Sequence, residues 1–371
     1  MLPRFRIGLL CLALLTPGSV FAHPGSGIVV DRAGNVYFVR AGQNVVWKLD
    51  AKGSVSKYVE DDIVRLPHHL FLDKAGTLYF ASDFDGRIWR VDPNGKLLEH
   101  FNSNRIKQRA GNNAIQVGSW GDPWTLDSLG NVYALATPNG TAIVRLSVDG
   151  AVTPIGKSAR FKELHFSSMT LGPDGALYVT DANRVWRVVG DSATRIESRG
   201  RPLEYAGGIA AAWDRATYIA DWSARRVVRL GRDGMEGTPP TLAGLSLSQP
   251  MGVTVAPDSS VYVLDLPAIG GVAIWRVHGD TARRVYVERG QAAWAGAAVA
   301  TIFALLLALQ TTVRVPKNRL DWLLWCTMST AAVFGLWWFG RSLFVFEWLR
   351  HPIALAHIHR LVRPYPTTPR G

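Results

Sequence analysis

Cysteine is nearly absent from this chain, which has two cysteines among its 371 residues. Cys11 lies in an N-terminal apolar run and Cys326 in a C-terminal one, so the sequence between them has none. A disulfide framework and a cysteine nucleophile are therefore excluded for residues 23–290. The chain also lacks a Gly-x-Ser-x-Gly motif and a phosphate-binding loop, which are typical of α/β-hydrolases and P-loop proteins.

A basic stripe is missing as well, although the formal net charge is +12. Residues 292–371 contribute +6 and residues 1–22 contribute +2, while the residues between have 31 basic and 27 acidic groups. The positive charge therefore belongs to the two ends of the chain, and the middle has no patch that would suit nucleic acid. We expect no nucleic-acid partner.

Residues 1–22 are typical of a secretory signal peptide. Arg4 and Arg6 precede the apolar run 7–15, and Val20-Phe21-Ala22 resembles a cleavage site. An uncleaved anchor is the alternative, but nine apolar residues are too few to span a bilayer. We predict cleavage after Ala22, which makes His23 the new N-terminus, and export to a bacterial periplasm.

One short string recurs six times along the middle of the chain. The copies are Asp31–Tyr37, Asp73–Tyr79, Asp127–Tyr133, Gly172–Tyr178, Ala212–Tyr218 and Ala256–Tyr262. Their tyrosines are 42, 54, 45, 40 and 44 residues apart, and a second apolar run such as Val46-Trp47-Lys48-Leu49 follows each copy. Several copies also continue to an Asp-Gly or Asn-Gly turn before an outer strand, as at Asp233-Gly234.

Four short strands at a period of about 40–45 residues are typical of a propeller blade. The Gly-containing turns supply the positive φ that a tight hairpin requires. The sequence therefore predicts an all-β fold class, a six-bladed β-propeller over residues 23–290. It also predicts four strands in each blade, with the six tyrosines at equivalent places on the second strands. A β-sandwich would leave the six aligned tyrosines unexplained.

The repeats resemble the blades of NHL-repeat and SMP-30/gluconolactonase-like propellers, over about residues 23–290. Tyr178-Val-Thr-Asp181, Tyr218-Ile-Ala-Asp221 and Tyr262-Val-Leu-Asp265 complete the NHL-like core with its trailing aspartate. The resemblance implies the fold, while the same scaffold serves enzymes and binding proteins alike.

The resemblance also implies where a lactonase-type metal would bind. Such enzymes place a Glu, an Asn and an Asp at the starts of the first strands of three blades. Here no Glu lies near Ser26, the Asn position holds Ser167, and the Asp position holds Gly207. Lactonase activity of that type is therefore disfavoured.

Two apolar runs follow the repeats, residues 292–310 and 322–340, each nineteen residues long and free of charge. They predict two transmembrane helices within 291–349, and a buried helical cap is the alternative. Arg314, Lys317 and Arg319 lie between the runs, which places that loop in the cytoplasm. The protein is thus expected in a bacterial inner membrane, with the propeller in the periplasm and a basic tail at 350–371. The tail has the composition of a surface-bound amphipathic helix.

Counting ten and eleven residues back from each tyrosine predicts the positions at the mouth of the propeller channel. Blades 2, 3 and 4 have polar side chains there, whereas blades 5 and 6 offer Gly207, Gly208 and Gly252. The candidate ligand-binding residues at or next to these positions are His68, His69, Asp122, Trp124 and His165. A hydrated channel lining is the plainer interpretation of these side chains.

Imidazoles beside a carboxylate suit a divalent transition metal such as zinc, copper or iron. The candidate metal ligands are His69, Asp122 and His165, joined by His23 if the signal peptide is removed. The same groups can hydrogen-bond an anionic or sugar-like ligand. Two classes of function stay open: a membrane-anchored binding or scaffold propeller with a periplasmic partner or ligand, and a metal-dependent hydrolase or oxidoreductase.

Overall fold

A computed structural model of the chain describes residues 27–289, apart from 41–42, 65, 83–85, 93–94, 103–122, 137–141, 156–165, 182 and 268–270. The chain divides into two units, Met1–Glu288 and Arg289–Gly371, and the described residues belong to the first except for Arg289. The predicted signal peptide, the two predicted membrane segments and the basic tail lie outside the described residues. Within the described part, no helix has the length and hydropathy needed to cross a membrane.

Six antiparallel sheets, each built from consecutive strands, form six blades. Blade 1 is β1 (Ile28–Val30), β2 (Val36–Val39), β3 (Val45–Leu49) and β4 (Val55–Glu60). Blade 2 is β5 (Pro67–Leu72), β6 (Leu78–Ser82), β7 (Arg87–Val91) and β8 (Leu97–Asn102). Blade 3 is β9 (Trp124–Leu126), β10 (Val132–Ala136), β11 (Ala142–Leu146) and β12 (Val152–Ile155).

The second half of the ring repeats this order. Blade 4 is β13 (Phe166–Leu171), β14 (Leu177–Asp181), β15 (Arg184–Val189) and β16 (Ser192–Ile196). Blade 5 is β17 (Ala206–Ala211), β18 (Thr217–Asp221) and β19 (Arg226–Leu230), followed by helix α1 (Pro240–Ala243). Blade 6 is β20 (Pro250–Val255), β21 (Val261–Asp265), β22 (Gly271–His278) and β23 (Thr281–Arg289).

The first strands of consecutive blades lie side by side, and β20 of blade 6 lies beside β1 of blade 1 again. This closes a ring of six blades around a central channel. Because each blade is a simple meander, the turns between strands 1 and 2 and between strands 3 and 4 share one face, here called the turn face. The connections between strands 2 and 3 and between blades share the other, the mouth face.

The turns on the turn face explain why the repeat string forms a hairpin. In blade 1 the Oδ1 of Asp31 accepts hydrogen bonds from the amides of Ala33 and Asn35, at 2.9 and 2.8 Å. Gly34 completes the turn at φ 81°, a conformation that costs glycine little. The same conformation recurs in all six blades, even where the residue is not glycine, as at Arg215 and Ser259 (both φ 65°).

The six repeat tyrosines occupy the second position of the six second strands, as predicted. These strands are β2, β6, β10, β14, β18 and β21. The hydrophobic core lies between neighbouring blades, where apolar side chains of adjacent sheets pack face to face. Sheet-on-sheet packing of this kind buries the alternate residues of each strand.

Blade 5 corrects the prediction of four strands in every blade, because it has three. After the turn at Gly234 the chain makes one isolated bridge, between Leu230 and Glu236. It then reaches Pro239 and Pro240, which cannot donate to a ladder. Pro240 instead begins α1, and the buried Leu242 of this helix packs in one cluster with Val227 of β19.

Candidate ligand site at the channel mouth

The predicted mouth positions coincide with an irregularity in the first strands. The register between strands 1 and 2 shifts at Ser167 in blade 4, at Gly207 in blade 5 and at Met251 in blade 6. In blade 2 the register shifts between His68 and Phe71. A bulge of this kind redirects side chains at a sheet edge and is frequent beside binding sites.

His68 and His69 lie on β5 at the bulge of blade 2. Their ring centroids are 6.2 Å apart and the ring planes are tilted by 44°. His69 is 3% exposed, whereas His68 is half-buried. Both imidazoles therefore belong to the innermost layer of the propeller, at the end of β5 that opens on the mouth face.

The backbone that enters β5 is strained. His69 has φ 46° and Leu66, three residues earlier, has φ 43°. Histidine tolerates this left-handed region better than most residues, but a bulky aliphatic residue such as leucine rarely adopts it. Left-handed non-glycine residues cost about 1–3 kcal/mol each and cluster at functional sites. The described chain has five non-glycine residues with positive φ, and two of them, Leu66 and His69, lie at the start of β5.

The first strands of blades 3 and 4 also carry buried polar groups at or next to the mouth positions. Ser168 on β13 is fully buried, and its Oγ has no hydrogen-bond partner among the described residues. Trp124, the first residue of β9, is 3% exposed and packs in the core between blades 2 and 3. The Trp124 indole nitrogen also lacks a partner in the described chain, but so do those of Trp89 and Trp275. The missing hydrogen bond therefore indicates a ligand more strongly at Ser168 than at Trp124.

Three of the candidate residues lie outside the described residues: His23, Asp122 and His165. The predicted metal set of His69, Asp122 and His165 therefore stays a prediction. Among the residues that the structure describes, no three His, Cys, Asp or Glu side chains come close enough together to hold a metal ion. The predicted ligand-binding role of Trp124 also stays a prediction, and its burial leaves little of the ring accessible.

At the equivalent position of blade 5, Gly208 has no room for a side chain. A Cβ placed on Gly208 would lie 2.9 Å from the carbonyl oxygen of Met251. The first strands of blades 5 and 6 therefore touch through backbone. Ser167 and Gly207 lie at the two bulges where the lactonase-type enzymes place Asn and Asp, and neither side chain provides a carboxylate or an amide. The residues present do not fit that type of metal site.

The trailing aspartates of the repeats have a structural role on the mouth face. The carboxylate of Asp221 is buried and accepts the backbone amides of Glu204 and Tyr205, at 3.2 and 2.9 Å. Asp265 accepts the amides of Ser248 and Gln249, at 3.0 and 2.7 Å. Burial raises the pKa of Asp265, and these hydrogen bonds oppose the shift. Both carboxylates hold the incoming loop against the blade, so they are not available as ligands.

Sequence reasoning missed two features. Ser168 was counted among the mouth positions, but a serine in a strand carries no signal that its hydroxyl will lack a partner. The strain at Leu66 has no signal either, because leucine is not expected at positive φ. The repeat register places Ser168 of blade 4 at the position equivalent to His69 of blade 2.

Comparison with known proteins places the fold among six-bladed propellers. No protein-family model matches the chain, and no curated protein matches it. A putative gluconolactonase is 16% identical over 72% of this chain and 91% of its own, with a TM-score of 0.50. Virginiamycin B lyase from Staphylococcus aureus is 19% identical over 72% and 85% of the two chains, with a TM-score of 0.47.

Regucalcin from Agrobacterium tumefaciens, a calcium-binding protein, is 17% identical over 65% and 82% of the two chains, with a TM-score of 0.46. Identities at this level establish the fold and nothing about the reaction. The chain is a six-bladed β-propeller whose structural neighbours are SMP-30/gluconolactonase-like and virginiamycin B lyase propellers.

Proposed function

We propose that this protein is an exported, membrane-anchored binding propeller, whose mouth at blades 2–4 takes a polar, anionic or sugar-like small molecule. The observation that carries the proposal is the pair His68 and His69 at a strained bulge of β5. Such strain persists only where the surrounding structure holds it in place, and it is typical of functional sites.

The distribution of side chains around the mouth supports a one-sided site. Blade 2 presents two imidazoles, and the buried hydroxyl of Ser168 in blade 4 has no partner among the described residues. Blades 5 and 6 touch through the backbone at Gly208 and Met251. A ligand that can hydrogen-bond would satisfy the Ser168 hydroxyl, which has no partner among the described residues, whereas a purely apolar ligand would not.

A metal-dependent hydrolase or oxidoreductase at the same mouth is the alternative. It requires Asp122 and His165 to join His69 around one ion, with metal–ligand distances near 2 Å. The lactonase-type ligand set does not supply it, because those positions hold Ser167 and Gly207.

The test uses the full-length protein purified in detergent, as wild type and as His68→Ala and His69→Asn. Asparagine also tolerates positive φ, so the second variant removes the imidazole and keeps the backbone conformation. The matched control is His278→Gln, at the far end of β22 on the turn face. Native mass spectrometry reports small molecules that stay bound, and elemental analysis reports metals.

We expect wild type and the control to retain a small molecule that both mouth variants lose, with unchanged melting temperatures. A stoichiometric metal lost from the mouth variants would favour the enzyme instead. A wild-type protein with neither ligand nor metal would contradict both functions. Equal ligand retention in all four proteins would contradict the assignment to the mouth.

A further inference from the structure

A pocket lies on the turn face, between blades 2 and 3, and is independent of the function proposed above. Its volume is about 240 Å³, somewhat below the 300–1,000 Å³ typical of drug-sized ligands. Blade 2 contributes Tyr79, Arg90 and His100, and blade 3 contributes the hairpin residue Leu129 and the turn residue Val148. The pocket opens where both 1–2 and 3–4 turns end, so it faces away from the mouth.

Arg90 differs from its counterparts in the other blades. Each repeat tyrosine faces a basic residue on strand 3, and four of these bases pair with the aspartate of their own turn. The pairs are Arg145–Asp127 at 3.5 Å, Arg187–Asp174 at 2.7 Å, Arg229–Asp214 at 2.5 Å and Arg276–Asp258 at 2.9 Å. Lys48 of blade 1 lies over the rings of Tyr37 and Tyr58 instead. Arg90 is exposed and lies beside the hydroxyl of Tyr79, and within the described chain it forms no ion pair.

The two carboxylates that line this pocket already accept hydrogen bonds from their own turns. Asp73 accepts the amides of Ala75 and Thr77 at 2.9 and 2.8 Å, and its other oxygen accepts the Tyr79 hydroxyl at 3.3 Å. Asp127 accepts two amides and the side-chain nitrogen of Asn131 in the same way, and it also pairs with Arg145. Both carboxylates keep their negative charge, but their oxygens are occupied, so the group of this pocket that can still bind an anion is the guanidinium of Arg90.

His100 closes the pocket as a neutral group. Its Nε2 lies 2.9 Å from the carbonyl oxygen of Gly130, to which it donates, so Nδ1 is left as an acceptor. Its ring meets Tyr79 edge-on, at 5.0 Å between centroids. Burial lowers the pKa of His100, the bond to Gly130 opposes this, and the nearby Arg90 lowers it further. The imidazole therefore adds no second positive charge at neutral pH.

The rim of the pocket is apolar and unusually exposed. Leu129 is 73% exposed and Val148 is 70% exposed, the highest values among the large aliphatic residues described. A Cβ placed on Gly130 would lie 3.4 Å from the His100 ring and 3.5 Å from Val148, so these groups are neighbours. Exposed aliphatic side chains beside a polar pocket are typical of a binding surface.

We propose that this pocket binds a small branched aliphatic carboxylate, with the carboxylate on Arg90 and the aliphatic group on Leu129 and Val148. Guanidinium binds carboxylate with two parallel hydrogen bonds, which makes arginine specific for this group. The small volume and the two aliphatic rim residues select a short branched chain over a long one.

The probe is isovalerate, and the neutral isosteric 3-methylbutanamide is its control, both titrated against the full-length protein in detergent and followed by saturation-transfer NMR. The pocket variants are Arg90→Gln, Arg90→Lys and Val148→Ser. The matched controls are Arg276→Gln, the equivalent base of blade 6, and Val189→Ser, an exposed turn-face valine of blade 4. Melting temperatures verify that each variant is folded.

We expect a Kd for isovalerate of about 1 mM, as a ligand of this size allows. Arg90→Gln should weaken binding at least about tenfold, the loss of one charge-assisted bond. Arg90→Lys and Val148→Ser should weaken it less, and the two controls should not change it. No signal from isovalerate at about ten times that Kd, equal binding of the amide, or unchanged affinity in Arg90→Gln would each overturn the proposal. Failure here leaves the mouth site unaffected, since the two sites share no residue.

Discussion

The guanidinium of Arg40 and the carboxylate of Glu288, 248 residues apart in the chain, meet at 2.7 Å. Arg40 follows β2 in the first blade and Glu288 lies on β23 in the last. The same arginine donates to the Tyr286 hydroxyl at 2.6 Å and stacks 3.7 Å from the centroid of the Trp47 ring. Every blade is built from consecutive strands, so no exchanged strand closes the ring between blades 1 and 6. Side chains close it instead.

This closure predicts that Arg40→Met destabilises the propeller more than an ordinary surface substitution. The Arg40 side chain is 9% exposed, and its loss leaves Glu288 and Tyr286 without their donor. We expect a loss of about 1–3 kcal/mol in the free energy of unfolding, measured by urea titration of the full-length protein. Lys57→Met removes an exposed pair with Glu60 and should cost no more than about 0.5 kcal/mol. Equal losses in the two variants would contradict the role of Arg40.

Thr217→Val should stabilise the protein. The residue before the repeat tyrosine is aliphatic in the other five blades, whereas Thr217 is buried with no partner for its hydroxyl among the described residues. Replacing an unsatisfied hydroxyl by a methyl group of the same shape should add about 1 kcal/mol. Thr238→Val is the matched control, because the Thr238 hydroxyl accepts the amide of Arg229 at 2.9 Å. The Thr238→Val control should lose stability. A loss of stability in both variants would contradict the conclusion that the Thr217 hydroxyl is unsatisfied.

Acid should destabilise the propeller partly through His100. Burial lowers the pKa of this imidazole below its ordinary value of 6.5. As pH falls through 6.5, the unfolded chain takes up a proton that the folded protein does not, so stability falls until the lower folded pKa is reached. Between about pH 7.5 and about pH 5.5, the melting temperature of His100→Gln should therefore fall less than that of wild type. His278→Gln should behave like wild type, and identical losses in all three proteins would exclude His100 as a contributor.

The predicted membrane topology can be tested with single cysteines in a background in which Cys11 and Cys326 are serine. Lys317→Cys lies between the two predicted spans and should resist a membrane-impermeant maleimide in intact spheroplasts, because basic loops stay in the cytoplasm. Lys52→Cys, in an exposed turn of blade 1, should be labelled. Labelling at residue 317 without permeabilisation would show that the hairpin is misassigned, and protection of residue 52 would place the propeller on the other side.

The sequence was sufficient for the blade number and for the place of each repeat tyrosine, because tight turns and strand alternation are local and periodic. Asp31 shows the reason: its contacts with residues 33 and 35 need nothing beyond five residues of chain. Blade 5 shows the limit. Its Asp233-Gly234 turn predicts an outer strand like the others, but Pro239 and Pro240 follow too closely for a ladder to form.

The mouth was predictable as a register position but not as a site. Counting back from the tyrosines located His68 and His69 at the bulge. The strain at Leu66 and the Ser168 hydroxyl, which has no partner among the described residues, depend on how neighbouring blades meet. The pocket of Arg90 was not predictable at all. In sequence its Tyr-to-Arg spacing resembles those of the other blades, and only the structure shows that Arg90 forms no ion pair among the described residues, whereas Arg145 pairs with Asp127.

By itself, the sequence determined an all-β chain of six repeated units, since hairpin turns and strands are specified by neighbouring residues. The tertiary structure decided which side chains share a surface, because blades that are about 40 residues long bring distant positions together only when the ring closes. Arg40 reaches Glu288 through that closure, and Arg90 shares a pocket with the turn of blade 3 through the packing of neighbouring blades.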